Sequence, residues 1–253
     1  MWGWETLAPL DRLWVTLAGV GLQDARRSGL LLFRVRARHA CLIGADLLRV
    51  DLEEADLEGA HLELADLRRA VLRRTRLSDA SLEGANLSWA SAEGAELRRA
   101  RLVGADLTEA VLAGADLAGA NLQDAVLTAA DLGQASLAGA RLDGIAAEHA
   151  LFAGAGLAGA LLTGARLTCA DLSAADLSAA VLKRADLRGA DLDGARLEGA
   201  RLEGARFGAL ADDAPVLRAA REAVAPPPLE ALLVAGWQAI ELDGVRVERP
   251  RRP

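Results

Sequence analysis

From residue 40 to residue 207 the chain repeats one five-residue pattern without an insertion, and this period restricts the folds it can adopt. Every fifth residue from Ala40 to Ala205 is Ala at 31 of 34 positions, and every fifth residue from Leu42 to Phe207 is Leu at 30 of 34. The exceptions are Val50, Thr75 and Ile145 in the first series, and Ala92, Ala147, Phe152 and Phe207 in the second. Such self-similarity is typical of a solenoid.

A period of five fits neither an α-helix nor a flat strand. A helix turns ~100° per residue, so leucines five apart scatter around its axis. In a strand, Ala and Leu two apart share a face, but the next Ala, three further on, changes side. Both point inward only if the chain bends once per repeat. Gly occupies 16 of the 34 last repeat positions from Gly44 to Ala209, which predicts a recurring corner with positive φ.

Repeats such as residues 105–109 (Ala-Asp-Leu-Thr-Glu) and 115–119 (Ala-Asp-Leu-Ala-Gly) resemble the pentapeptide repeat family pattern A(D/N)LXX. The resemblance covers about two thirds of the chain. It implies an all-β solenoid, a right-handed quadrilateral β-helix with four pentapeptides per coil and with Leu and Ala inside. The 34 pentads would then form about 8.5 coils, a rod roughly 40 Å long at ~4.8 Å per coil.

Charged residues provide a separate test of a 20-residue coil, because residues 20 apart would stack on one another. A 25-residue coil would stack Arg73 on Arg98, which repels, whereas a 15-residue coil also gives some favourable pairs. The charges therefore favour a period of 20 and leave 15 open. The predicted ladders are Glu53–Arg73–Glu93, Asp56–Arg76–Glu96, Glu54–Arg74, Arg166–Asp186–Arg206, Asp176–Arg196 and Lys183–Glu203.

The two ends depart from the repeat, so we divide the chain into three parts. Residues 1–29 show apolar residues at helical spacing and predict an N-terminal helical cap. Residues 30–207 form the pentapeptide-repeat β-helix. Residues 208–253 predict a C-terminal helical segment that caps the open sheet edge or dimerises.

Within the C-terminal part, a first helix is predicted from Asp212 or Asp213 to Val224 and a second from Leu229 to about Ile240. A strand-like piece over 245–247 and an Arg-rich tail follow. The second helix carries more apolar surface than a cap needs, which indicates a homodimer as well as a cap. The candidate residues for this contact are Leu232, Leu233, Trp237 and Ile240.

Composition argues against several classes of protein. The sequence contains no run of 18 or more apolar residues, so it predicts no membrane span. The first residues lack a signal-peptide pattern. Cys41 and Cys169 lie at outward positions six coils apart, so they cannot form a disulfide within the chain. Two free thiols are expected in a reducing compartment, and we expect a cytoplasmic protein.

The sequence offers little catalytic chemistry. His39, His61 and His149 are far apart, and none has a cysteine at metal-ligand spacing. Phosphate-loop and nucleophile-elbow motifs are lacking, and the many Asp residues before Leu recur with the repeat. We therefore expect no enzymatic activity, no cofactor and no metal.

Unequal charge distribution gives the best functional clue. When stacked pairs are set aside, several acids are left in two neighbouring columns, where like charges are unfavourable unless a partner binds. An ordinary solvated face, with Asp used for local turn hydrogen bonds, remains the alternative. The candidate acidic partner-binding face consists of Asp46, Asp66 and Asp106, stacked with Asn86, together with Glu63 and Glu83.

Two functions remain open. The family resemblance implies a DNA mimic that binds DNA gyrase or topoisomerase IV and modulates it or protects it from poisons, and so contributes to antibiotic resistance. However, residues 46–206 carry a net charge of only −9, whereas 40 Å of duplex DNA carries roughly 24 negative charges. The alternative is a rigid scaffold or adaptor for protein–protein interaction in a bacterial assembly. Direct binding of nucleic acid is not expected, because the tail has only three arginines, Arg249, Arg251 and Arg252.

Overall fold

Residues 32–207 form one continuous coil in the computed structural model, which describes these residues and the two strands Ala239–Leu242 and Val245–Glu248. The residue between each inward Ala and Leu forms a parallel bridge with the residue 20 further on. There are 31 such bridges, from Arg36–Asp56 to Asp186–Arg206. Four pentads therefore complete one coil. This result confirms the predicted period and excludes the 15-residue alternative.

A β-turn forms the corner at the end of every pentad. The N–H of Ala45, for example, donates to the carbonyl of Leu42 at 3.1 Å. At all 35 corners from 34 to 204 the residue before the Ala has positive φ: 63–72° at 16 glycines and 53–59° at 19 other residues. Positive φ at the third residue is the requirement of a type II turn. The predicted corner is confirmed. Its positive φ costs about 1 kcal/mol in a residue other than glycine, and 19 such residues adopt it.

Backbone hydrogen bonds between coils use three amides of each pentad. Leu42 donates to the carbonyl of His61 at 2.7 Å, and Gly44 to that of Glu63 at 2.8 Å. In return His61 donates to the carbonyl of Ala40 at 2.9 Å. Stacking therefore satisfies the backbone that the core would otherwise bury unpaired.

The amide after each Leu has a different partner, which explains the Asp or Asn of the repeat. Glu53, for example, donates its N–H to Oδ1 of Asp51 at 3.0 Å. All 13 Asp and Asn residues before an inward Leu in this region make the same bond with the residue two places on. These side chains are structural parts of the corner.

The inward residues form one unbroken hydrophobic column. Thr75 is fully buried among them, and its Oγ1 donates to the carbonyl of Leu52 at 2.8 Å, so the hydroxyl is satisfied. Three exceptions to the repeat near residue 147 also lie inside the column, since Ile145, Ala147 and Phe152 are all fully buried. The turn bond of Ile145 lengthens there to 3.4 Å.

The coil has four faces, each named after its central column of residues 20 apart. The two residues after each Leu form the corner between successive faces. The columns run from Cys41 to Arg201 (face I), from Asp46 to Arg206 (face II), from Asp51 to Asp191 (face III) and from Arg36 to Arg196 (face IV).

Outside the coil, strands β1 (Ala239–Leu242) and β2 (Val245–Glu248) pair antiparallel, with Ile240 opposite Val247. The strand over 245–247 is confirmed. The helix predicted to continue to Ile240 is wrong at its end, because Ala239 and Ile240 belong to β1. Two short apolar-rich runs separated by Asp-Gly are a strong hairpin signal, which the helical spacing concealed. The N-terminal cap, the first C-terminal helix and Leu232, Leu233 and Trp237 lie outside the described residues.

The bond from Gly133 N–H to Asp131 Oδ1, 2.9 Å long, provides a test of the role of Asp in the corner. Replacing Asp131 with Ala should lower the free energy of unfolding by about 1 kcal/mol, because the amide loses its acceptor. Asp131→Asn keeps an acceptor oxygen and should be close to wild type. Denaturant unfolding measures both values, and an equal loss in the two variants would contradict the assignment.

Candidate protein-binding faces

Face II contains the predicted acidic column. Successive bridges join Asp46 to Asp66, Asp66 to Asn86, and Asn86 to Asp106, so the stacking is confirmed. Asp46 accepts from the N–H of Leu48 at 3.2 Å. Asp106 Oδ1 accepts from the N–H and hydroxyl of Thr108 at 2.9 and 2.6 Å. The turn role that the sequence left open is therefore present at both aspartates.

Asp66 was expected to be unpaired, and this expectation is wrong. Arg68 donates to both of its oxygens, from Nε at 2.8 Å and from Nη2 at 2.6 Å. This pair holds the pKa of the Asp66 carboxyl below its ordinary value, mainly through the side-chain hydrogen bond. Arg68 stands two residues further along the chain at the next corner, so a stacking rule based on separations of 20 could not find it.

The same correction applies to Glu63 and Glu83. Glu83 forms an ion pair with Arg101, which belongs to face I. Glu63 lies 3.3 Å from Nδ1 of His61. Burial raises the pKa of Glu63, but hydrogen bonds from its own backbone, Ser81 and His61 outweigh this effect, so the pKa lies below the ordinary value. The acids stack as predicted, yet Asp66 and Glu83 are each compensated by an arginine.

Most of the predicted ladders form. Arg73 and Arg74 reach Glu53 and Glu54, and Arg76 contacts both Asp56 and Glu96, at 3.0 and 3.5 Å. The pairs Asp176–Arg196, Lys183–Glu203 and Asp186–Arg206 also form. Arg166 is an exception, because it pairs with Glu148 at 2.8 Å instead of Asp186. Glu93 likewise bonds Ser91.

Face III has the column with the most one-sided charge. Its acids are Asp51, Asp131, Asp171 and Asp191, and no basic residue stands in the column from 51 to 191. Asp171 and Asp191 are directly stacked. Each of the four carboxylates accepts the amide of its own turn. Sequence reasoning missed this column, because it searched only near the densest run of acids.

Within residues 32–207, large apolar side chains are exposed at five outward positions, which sequence reasoning also missed as a group. Leu64 is 70% exposed, Trp89 48%, Leu151 45%, Phe33 44% and Ile43 39%. Their signal was available: a large apolar residue at an outward phase of the repeat. Leu64 and Trp89 border face II and lie at positive-φ corners.

Electrostatics of the whole coil are modest. Residues 32–207 contain 26 acids and 20 bases, a net charge of −6. A rod of this length, roughly 42 Å at ~4.8 Å per coil, compares with about 25 charges on duplex DNA of equal length. Any resemblance to DNA must therefore be local to a column.

No group of three or more His, Cys, Asp or Glu side chains in the described part of the chain is arranged to hold a metal ion. Neither Cys41 nor Cys169 forms a disulfide. Residues 32–207 and the two strands also contain no helix with the length and hydropathy of a membrane span.

A four-sided coil with a filled interior and only outward faces to offer defines the class of protein as a β-solenoid. The model of the family described as "Pentapeptide repeats" matches eight copies over residues 31–69, 70–108, 105–144, 130–168, 148–184 and 170–208. The chain belongs to the pentapeptide repeat family, whose fold is a right-handed quadrilateral β-helix. Members of this family are generally structural or binding proteins.

Solved structures similar to the chain include HetL, a pentapeptide repeat protein involved in heterocyst differentiation regulation from the cyanobacterium Nostoc sp. It is 35% identical, with 72% of this chain and 91% of HetL covered and a TM-score of 0.39. Another is full-length QnrB1, a plasmid-mediated fluoroquinolone resistance protein, at 20% identity, with 82% and 99% covered and a TM-score of 0.47. Comparison with curated proteins found no match.

Acid should destabilise the coil through its paired aspartates. Hydrogen bonds from Arg68, Arg99 and Arg188 lower the pKa of Asp66, Asp79 and Asp186 below the ordinary 3.8. Their stabilisation is fully present above that value and is lost as the pH falls below it, through the lowered folded pKa values.

Denaturation midpoints at about pH 6 and pH 3 measure this loss. A control variant that carries Asn at the three aspartate positions keeps hydrogen-bond acceptors but cannot titrate there. It should lose less stability between the two pH values than wild type. An equal loss would show that these pairs do not contribute.

Proposed function

We propose that this protein is a non-catalytic rod that binds another protein along its sides. This proposal rests on the burial of the inward side chains. From Ala40 to Leu187 every inward residue is buried in the core. Within residues 32–207, side chains that could contact a partner therefore lie on the four faces and their corners. Such a surface is suited to an extended lateral contact.

The shape of face IV supports close approach of a partner in the middle coils. Its central residues Ser136 and Gly156 are small. The corners beside them are also small, at Ala118–Gly119, Ala138–Gly139 and Ala158–Gly159. A flat surface of this kind lets another backbone approach closely. A rigid scaffold or adaptor in a bacterial assembly would use this property.

A more specific candidate partner is DNA gyrase or topoisomerase IV, approached by mimicry of DNA. The observation that favours it is the stacking of carboxylates at coil spacing on faces II and III, where a DNA-binding surface would meet a row of negative charges. The low net charge confines the mimicry to these columns. Under this hypothesis the protein would modulate the enzyme or protect it from poisons, without a cofactor and without binding nucleic acid itself, in the cytoplasm.

The topoisomerase hypothesis predicts that the purified protein shifts gyrase supercoiling, or fluoroquinolone-stabilised cleavage, at about micromolar concentration. Replacing Asp46, Asp66 and Asp106 together with Asn should weaken the effect, because the turn acceptors remain while the charges are lost. Asp131→Asn with Asp171→Asn makes the same change on face III, so comparing the two variants shows which column the enzyme contacts. The effect should also fall steeply with salt. If a large excess of the protein has no effect, the topoisomerase hypothesis is excluded and the scaffold hypothesis remains.

We also propose a homodimer through residues 208–253, on the basis of the apolar Leu232, Leu233, Trp237 and Ile240. Deleting residues 226–253 should then convert dimers to monomers in light scattering. Deleting only residues 249–253 removes the basic tail but none of these apolar residues, so this control should remain dimeric. A monomeric full-length chain would contradict the proposal.

A further inference from the structure

We propose that one patch of face II docks an amphipathic helix that carries basic side chains on either side of an apolar centre. The patch consists of Leu64 and Trp89 around Asn86, with Asp66 one coil before and Asp106 one coil after; we call it the Leu64–Trp89 patch. The inference deepens the proposed function and rests on it, since it names a surface and the chemistry of its partner.

The coil places the two apolar side chains on opposite sides of Asn86. The pentad of Asn86 begins after the corner at Gly84 and ends at the corner of Trp89. Leu64 stacks one coil below Gly84 and leans over it: a Cβ on Gly84 would come within 2.9 Å of Leu64 Cδ2. The absence of a side chain at 84 is thus what leaves room for Leu64 beside Asn86.

Leu64 and Trp89 are placed there at a cost. Both have φ of 58°, in the left-handed region that large side chains avoid. They are the only large apolar residues among the 35 positive-φ corners from 34 to 204. Exposure of 70% and 48% adds a second unfavourable contribution. The positive φ comes with every corner of the coil, but the coil does not need the exposed apolar surface, which is typical of a binding site.

Trp89 is held in position before any partner arrives. The guanidinium carbon of Arg69, one coil below, lies 5.6 Å from the centre of the Trp89 ring, within range of a cation–π interaction. A supported tryptophan loses little side-chain entropy on binding. Trp is also among the residues that contribute most at protein interfaces.

Charge decides the kind of partner. The centre of the patch is neutral, because Asn86 is the one amide in the column from 46 to 106, and carboxylates stand on both sides of it. Around the patch five acids outnumber three bases: Glu63, Asp66, Glu83, Asp106 and Glu109 against Arg68, Arg69 and Arg101. Arg68 pairs with Asp66 and Arg101 with Glu83, so the excess negative charge comes from the other acids. An apolar centre with a charged rim is the usual anatomy of an interface. The complementary partner carries an apolar centre and a basic rim.

Spacing decides its form. Asp66 and Asp106 are two coils apart, about 10 Å at coil spacing. In an α-helix, side chains seven residues apart are separated by about 10.5 Å along the axis. A helix that lies along the rod can therefore place Lys or Arg at i and i+7 over the two carboxylates, with apolar residues at i+3 and i+4 between Leu64 and Trp89. The basic residue over Asp66 then shares that carboxylate with Arg68. A second copy of face II would oppose its acidic column with another and fits poorly.

The test uses the full chain and two labelled helical peptides of the same length with Leu at i+3 and i+4. One peptide carries Lys at i and i+7, and the other Glu. Fluorescence anisotropy should show the Lys peptide binding about tenfold more tightly or better. The double variant Leu64→Ser, Trp89→Ser should bind the Lys peptide at least about tenfold more weakly than the wild-type protein does. Leu151→Ser is the matched control, since Leu151 is 45% exposed and stacked between Asp131 and Asp171.

Several outcomes would overturn the inference. They are equal binding of the two peptides, equal sensitivity to Leu151→Ser, or no binding by the full chain. If gyrase binds and the double variant binds it equally well, the docking patch is wrong while the proposed function stands. If the protein binds the Lys peptide more tightly than the Glu peptide but does not bind gyrase, the docking patch is supported and the topoisomerase hypothesis is excluded.

Discussion

Parallel hydrogen bonding between residues 20 apart is the constraint on which the whole coil depends. In each pentad two amides donate hydrogen bonds to the next coil, as those of Leu42 and Gly44 do, and one carbonyl accepts a hydrogen bond from it, as the bond from His61 illustrates. These bonds hold 19 residues other than glycine in a left-handed corner that would be unfavourable in isolation. The corner is therefore a property of the stack. A single pentad has neither the bonds nor the buried leucine that offset its backbone cost.

The same corner changes the meaning of the acidic residues. In this protein an Asp before Leu is first a hydrogen-bond acceptor for its own turn, and all 13 such Asp and Asn residues act in that way. An acidic column on a pentapeptide-repeat coil is then a weak sign of DNA mimicry, because the repeat produces it in any case. Large apolar residues at outward corner positions, such as Leu64 and Trp89, are better guides to a binding surface.

Particular residues show how far sequence reasoning reached. The stacking of Asp46, Asp66, Asn86 and Asp106 follows from arithmetic once the period is known. The pairing of Asp66 with Arg68 does not, since a long arginine at the next corner can turn toward its own pentad or toward a neighbouring coil. Arg166 shows the same freedom, because it forms an ion pair with Glu148 instead of Asp186. In the C-terminal part, helical spacing suggested a helix through Ile240, whereas pairing with Val247 makes that residue part of a strand.

By itself the sequence determined the architecture of residues 40–207, because a strict Ala and Leu period of five permits one inward arrangement and one corner per pentad. It also determined which residues face outward. The tertiary structure decided which outward charges are compensated, because ion pairs depend on side-chain direction across separations of 2, 18 and 20 residues. It also decided which apolar side chains share a surface, since Leu64 and Trp89 border the same pentad only after the coil has closed.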